Sequence, residues 1–136
     1  MADNSILTRL DGLKLKYEEI GQKLTDPEVI ADVKQFIQFN KEYRELEPII
    51  EASERYRTAI ANLAEAKARL WQTEQDYRRY ERLLKEESVP EQQYDQAKAS
   101  YEAARAHYDE TSKKQVGVEA GILRAEAASP ASRSAR

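Results

Sequence analysis

One histidine and pairs of neighbouring carboxylates are the residues of this 136-residue chain that could do chemistry. His107 could act as a base or a metal ligand. However, the sequence holds no second histidine and no cysteine to join it, and carboxylates alone help little with a transition metal. Glu18 and Glu19, like Glu86 and Glu87, point about 100° apart on a helix, whereas an acid and a base must face each other across a cleft. We therefore predict no catalytic residue, no metal site, no cofactor and a solvent-facing His107.

A basic strip with interleaved tyrosines is the feature that most suggests nucleic acid, and it consists of Arg78, Arg79, Arg82 and Lys85 beside Tyr77 and Tyr80. Acidic residues interrupt the strip, and i, i+4 charge pairs usually just support an exposed helix. The net charge of -3 and the pI near 5.4 also provide no basic footprint. We predict no specific nucleic-acid site. Trp71 could anchor an interface, although packing at a helix flank explains it equally well.

The composition predicts helices rather than a large compact core. Charged residues make up 35% of the chain, Gly occurs 4 times, and alanine, glutamate, lysine, arginine, leucine and glutamine dominate, as in coiled coils. The first residues lack the basic and apolar regions of a signal peptide, and no apolar run approaches about 18 residues. The sequence therefore predicts a cytoplasmic chain without a membrane span.

Two helices are predicted in the first third of the chain. Apolar residues at steps of three and four predict the first helix; they are Ile6, Leu10, Leu13, Tyr17, Ile20 and Leu24. Asp26 and Pro27 are suited to begin a second helix, with an apolar stripe that runs from Ile30 to Leu46. Pro48 lacks a backbone donor and disfavours helical angles at Glu47, so we expect a kink or a short break there.

Heptad spacing over the rest of the chain predicts an antiparallel helical hairpin with its turn near residues 86–90. Apolar residues seven apart form one stripe on a helix and require a partner stripe to cover them. The predicted helical interface consists of Tyr56, Leu63, Leu70, Tyr77, Leu84, Tyr94, Tyr101 and Tyr108. We expect the tyrosines to pack against alanine and leucine rows of the first arm. Residues 116–136 have weak periodicity, which predicts a disordered tail.

The N-terminal half resembles the N-terminal helical domain of bacterial class-1 peptide chain release factors. The resemblance covers residues 1 to about 67 through the segments MADNSILTRLDGL, LTDPEVIADVKQF, NKEYRELEPIIEA and RYRTAIANLAEAK. It implies a helical domain that contacts the ribosome near the base of its stalk. In that family codon reading and hydrolysis belong to later domains, and this sequence has no Gly-Gly pair for the catalytic Gly-Gly-Gln motif.

Residues from about 62 to 115 resemble the helical hairpin of periplasmic adaptor proteins, or membrane fusion proteins, of efflux pumps. The segment that carries this resemblance is AKARLWQTEQDYRRYERLLKEESVPEQQYDQAKASYEAARAHYDE. The family's hairpin tip binds a channel through an arginine, a leucine and a serine. Arg79 and Leu83 match, while Pro90 stands in the serine position and Ser88 lies close by. The resemblance implies a partner-binding tip at Arg79, Leu83 and Ser88.

Together these observations predict an all-α chain with three parts: a release-factor-like domain at 1–60, an adaptor-like hairpin at 61–115 and a disordered tail at 116–136. A fusion of two gene fragments is the favoured origin, and a genuine small coiled-coil protein is the alternative. The predicted function is a non-catalytic helical interaction module that contacts the ribosome. The alternative is a periplasmic adaptor fragment that acts as a coiled-coil assembly element. The predicted partners are the ribosome, another helical protein or a second copy of the chain.

Overall fold

The computed structural model describes residues 2–129, with side chains from Ser5 onward. This part of the chain is all-α, as predicted, and it contains no strand. Its helices are α1 (Ala2–Lys23), α2 (Pro27–Ala31), α3 (Val33–Lys85) and α4 (Glu91–Ala128). The chain divides into two compact units. The first unit combines residues up to Tyr56 with those from Val118 onward, and the second unit is Arg57–Gly117.

The core of the first unit is built from the apolar stripe of α1 and the beginning of α3. Its buried apolar side chains are Ile6, Leu10, Leu13, Ile20, Val29, Leu46, Ile49, Ala52, Tyr56 and Ile122. Burial of one such leucine or isoleucine contributes about 1.5 to 3 kcal/mol, so this stripe holds the unit together. Tyr17 of α1 stacks on Tyr43 of α3 with ring centroids 4.2 Å apart, and Lys23 lies over the ring of Phe39 at 5.0 Å.

The predicted second helix is interrupted at Asp32, which corrects the expectation of one helix from Pro27 onward. Asp26 caps α2 by accepting a hydrogen bond from the Glu28 N–H at 3.0 Å. Asp32 then adopts extended backbone angles, φ -92 and ψ 98, and its carboxylate accepts from the Gln35 N–H at 3.3 Å. An aspartate followed three residues later by glutamine is a helix-start signal, which the sequence analysis missed.

The helix continues through Pro48, so the short break that was one of the two expectations is wrong, and a kink at that residue stays a prediction. Pro48 lies inside α3 and its side chain is exposed. A proline in a helix interior loses one backbone hydrogen bond and costs about 3 kcal/mol. The neighbouring Leu46, Ile49 and Ala52 are buried, and Tyr56 is fully buried one turn further on. Burial of these side chains of α3 offsets the cost of the proline.

The second unit is the predicted antiparallel hairpin, formed by the later part of α3 and the earlier part of α4. Tyr77 of α3 lies 5.8 Å from Tyr94 and 5.3 Å from Tyr101 of α4 between ring centroids. The tyrosines therefore meet one another rather than only alanine and leucine rows. Small residues allow the close approach on both arms, since Ala66 and Ala104 are buried.

The hairpin turn lies at residues 86–90, as predicted, and a Schellman motif ends α3. The Ser88 N–H donates to the Leu83 carbonyl at 2.8 Å, and the Glu87 N–H donates to the Leu84 carbonyl at 3.0 Å. Glu87 has a φ of 55, in the left-handed region that glycine usually occupies at this position. The turn therefore holds a non-glycine residue at an angle that favours glycine.

The prediction of a disordered tail from residue 116 is wrong for the segment that continues as helix. Helix α4 runs without interruption to Ala128. Its last turns bury Ile122 and Glu126 in the first unit, and burial of the apolar Ile122 side chain offsets part of the ordering entropy. Residues 130–136 of the predicted tail lie outside the described residues, as do the side chains of Asp3 and Asn4.

Candidate interaction surfaces

The predicted hairpin tip is partly engaged in local contacts. The Arg79 guanidinium pairs with Asp76 at 2.9 Å and lies over the Tyr80 ring at 5.6 Å. Leu83 is half-buried, and the exposed Ser88 donates its hydroxyl hydrogen to the Glu86 carbonyl at 3.5 Å. Partner binding through Arg79, Leu83 and Ser88 stays a prediction.

The residues of the predicted helical interface pack inside the units of the chain itself. Tyr56 is fully buried in the first unit, and the other members of the stripe are half-buried in the hairpin, namely Leu63, Leu70, Tyr77, Leu84, Tyr94, Tyr101 and Tyr108. A hydrogen bond from the Tyr77 hydroxyl to Tyr94 raises the pKa of Tyr77 to about 12, with desolvation as a second cause. Self-association through this stripe stays a prediction.

An exposed apolar patch lies at the junction of α2 and α3. Its members are Ile30, Val33 and Ile37, which are 50%, 66% and 61% exposed, and we call it the α2–α3 patch. A shallow groove of about 380 Å³ adjoins it, lined by Phe36, Ile37, Asn40, Lys41, Arg44 and Glu45. The apolar spacing predicts that Ile30, Val33 and Ile37 belong to the apolar stripe of one helix. The extended backbone at Asp32 separates Ile30 from the other two, and all three side chains are exposed. Exposed apolar groups with a polar rim are typical of protein-binding surfaces.

Trp71 is also exposed, which corrects the alternative that it packs at the flank of the hairpin. Its side chain is 65% exposed, although Leu70 beside it is half-buried. Arg78, seven residues further along α3, is 67% exposed and pairs with Glu74 at 2.8 Å. The Glu74 hydrogen bond raises the pKa of Arg78. Trp71 and Arg78 thus lie on an outward face of the hairpin.

A buried ion pair fixes the end of α4 in the first unit. Arg9 of α1 donates two hydrogen bonds to the Glu126 carboxylate, at 2.7 and 2.8 Å. The Glu126 side chain is 1% exposed and the Arg9 side chain 33%. The bond to Glu126 raises the pKa of Arg9 despite desolvation. Arg9 therefore compensates the charge of a buried carboxylate, which is a structural role.

The described residues offer little for chemistry. His107 is exposed, as predicted, and its backbone carbonyl accepts a hydrogen bond from Thr111 at 2.8 Å. Within residues 2–129, no group of three or more histidine and carboxylate side chains is arranged to hold a metal ion. None of the helices in the same range combines the length and apolar character needed to cross a lipid bilayer.

An all-α module with exposed apolar side chains is what these helices define. Residues 13–125 match the model of the PCRF domain, and the chain belongs to that family. A peptide chain release factor 1 from Parabacteroides distasonis is 51% identical over 76 residues, which are 56% of this chain and 20% of that protein. A peptide chain release factor 1 from Bacteroides fragilis is 48% identical over 68 residues, 49% of this chain and 18% of the relative. No solved structure matches the chain significantly.

The comparisons support the release-factor resemblance and give no support to the adaptor resemblance. The PCRF match covers residues 13–125, including the hairpin segment that was assigned to an efflux adaptor. A heptad stripe and an alanine-rich interface are general features of paired helices, so they carry little information on ancestry. The chain spans about a fifth of the length of the relatives it matches.

Proposed function

We propose that this chain is a non-catalytic helical module of translation termination, which works in the cytoplasm by contacting the ribosome. The observation that carries the proposal is the PCRF match over residues 13–125, supported by relatives named peptide chain release factor 1. The described side chains suit this role because their exposed features are apolar and charged surfaces for docking.

The α2–α3 patch is the surface we assign to a ribosomal protein. Ile30, Val33 and Ile37 present apolar side chains to solvent, and Lys41 and Arg44 line the adjoining groove. A partner with an apolar ridge and acidic flanks would cover the patch and meet these cations. Val33 and Ile37 lie one turn apart on α3, so one partner element can contact both.

Co-sedimentation with purified ribosomes at low salt tests the proposal. We expect the full chain to pellet with ribosomes, and the double variant Val33→Glu/Ile37→Glu to pellet several-fold less, because two carboxylates would then face an apolar partner. Leu15→Glu is the matched control, since Leu15 is 62% exposed on α1 of the same unit. It should leave the bound fraction unchanged.

A chain that stays in the supernatant at low salt would overturn the ribosomal role. Equal losses for Leu15→Glu and the double variant would remove the α2–α3 patch from the contact. Circular dichroism of each variant checks that its helices are retained.

A further inference from the structure

The outward face of α3 in the hairpin carries an exposed tryptophan in a field of basic side chains. We call it the Trp71 face. One row of residues seven apart consists of Arg57, Ala64, Trp71, Arg78 and Lys85, with Lys67, Ala68, Glu74, Gln75, Glu81 and Arg82 beside it. Five of these residues are basic and two are acidic, so the face is cationic although the whole chain carries -3.

The structure separates this face from the interior of the hairpin. Lys67, Ala68 and Arg82 are exposed, as are Trp71 and Arg78, whereas Leu70 and Tyr77 are half-buried toward α4. Ala64 and Ala68, beside Trp71, have side chains too small to cover the indole ring. A ligand can therefore reach the indole ring from the side of α3 that faces away from α4.

The two carboxylates do not cancel the cations of this face. Glu74 pairs with Arg78 at 2.8 Å, but the guanidinium is 67% exposed, and exposed i, i+4 pairs are weak and readily exchanged. Glu81 is half-buried beneath the face and contributes to the raised pKa of Tyr77. Lys67 lies one turn before Trp71, and Arg82 lies one turn after Arg78.

Although the sequence alone predicts no specific nucleic-acid site, the 65% exposure of Trp71 beside these cations changes that expectation. We propose that the Trp71 face binds single-stranded RNA, with one base stacked on the indole of Trp71 and phosphates held by Lys67, Arg78 and Arg82. Aromatic platforms flanked by cations bind single strands in this way, because every base has a π-face and every phosphate a charge. A duplex fits less well, since its bases are stacked on one another. This binding is separate from the ribosomal-protein contact at the α2–α3 patch and does not depend on it.

Trp71 reports on its own binding site, because it is the only tryptophan in the chain. The test titrates the full chain with an oligoadenylate of about 12 nucleotides at low salt, a length within the range that single-strand sites cover. We expect the tryptophan fluorescence to be quenched, and binding to weaken as salt is raised. A double-stranded RNA of the same length should quench it much less.

Variants locate the contact by anisotropy of labelled RNA. Trp71→Ala should weaken binding about tenfold, the loss expected for one stacked base. Lys67→Glu/Arg82→Glu should also weaken it and should lower the salt slope by about 1.4. The matched control is Lys98→Glu/Arg105→Glu, which makes the same charge change at exposed positions of α4.

The control variant should bind as the unmodified chain does. Absence of quenching and of binding at low salt would overturn the proposal. Equal weakening by the control and the Lys67→Glu/Arg82→Glu variant would also overturn it, because it would show attraction by overall charge rather than a site. All substituted side chains are exposed, and circular dichroism verifies the fold of each variant.

Discussion

Arg9 and Glu126 form a two-hydrogen-bond ion pair between residues 117 positions apart, and Glu126 is fully buried. The pair joins the first helix of the chain to the last turns of α4. Breaking a buried pair by removing one partner leaves an uncompensated charge or an unfilled site, which costs about 3 to 5 kcal/mol. Arg9 is one-third exposed, so water can partly solvate a charge left there.

We expect Arg9→Met to lower the free energy of unfolding by about 3 kcal/mol, because the buried Glu126 carboxylate would lose its ion pair and both hydrogen bonds with Arg9. The double variant Arg9→Met/Glu126→Leu should recover most of that loss. Urea denaturation followed by circular dichroism measures both. Arg124→Ala, at an exposed position of α4, is the control and should change stability by less than about 0.5 kcal/mol. An equally unstable double variant would contradict the pairing argument.

Two helical glycines of α1 should respond oppositely to alanine. A Cβ added at Gly12 meets nothing within 4 Å, whereas one at Gly21 would lie 3.1 Å from Cε1 of Tyr43. Gly12→Ala should stabilise the chain by about 0.5 to 1 kcal/mol through reduced backbone entropy. Gly21→Ala should be at least about 1 kcal/mol less favourable, because it presses on the Tyr17–Tyr43 stack. Similar melting temperatures for the two variants would show that the Tyr43 ring moves away from the added methyl group at little energetic cost.

Pro48→Ala should stabilise the chain by about 2 kcal/mol. Alanine restores the backbone donor that proline lacks in the interior of α3, which stabilises the folded chain by about 3 kcal/mol. It also makes the unfolded chain more flexible, which lowers the free energy of unfolding by about 1 kcal/mol. Arg55→Ala, at another exposed position of α3, should have an effect below about 0.5 kcal/mol. Thermal unfolding of both variants tests this. A less stable Pro48→Ala variant would mean that the proline shapes the packing of the unit.

Glu87→Gly should stabilise the hairpin turn by about 0.5 to 1 kcal/mol. The residue has a φ of 55, a left-handed conformation that costs a residue with a side chain about 1 to 2 kcal/mol. Glycine removes this cost, but part of the gain is lost because glycine also makes the unfolded chain more flexible. Glu86→Gly is the neighbouring control, and it should destabilise because residue 86 has no positive φ. Denaturant midpoints for the two variants should therefore shift in opposite directions.

Alkaline pH should destabilise the chain through Tyr17 and Tyr77. Hydrogen bonding to Tyr43 raises the pKa of Tyr17 to about 12, and hydrogen bonding to Tyr94 raises the pKa of Tyr77 to about 12. The ordinary value is 10.0, so the unfolded chain loses these protons first. The stabilisation is complete below pH 10 and is lost between pH 10 and about 12.

Melting temperatures across that pH range test the effect. We expect Tyr17→Phe/Tyr77→Phe to lose less stability than the unmodified chain between pH 10 and 12, because the titrating phenols are gone. The same comparison at neutral pH gives the effect of removing the two hydroxyl groups without any titration. Parallel losses for both proteins would assign the alkaline effect to other groups.

Local patterns in the sequence are sufficient to predict α1 and the reversal between the two arms of the hairpin. The three- and four-residue spacing from Ile6 to Leu24 predicts α1, because a helix needs one apolar face to bury. The heptad spacing of Leu63, Leu70 and Tyr77 and the break at Ser88 predict the hairpin for the same reason. The absence of paired histidines and cysteines likewise argues against a metal site from composition alone.

Tertiary packing decided the features that local rules predict wrongly. Pro48 remains within a helix because its neighbours Leu46 and Ile49 are buried. Residues 116–128 are helical because Ile122 and Glu126 are buried in the core beside α1. Ile30, Val33 and Trp71 are exposed, because no other part of the described chain covers them. Which apolar residue is buried depends on partners distant in sequence, and spacing within one helix carries no information on those partners.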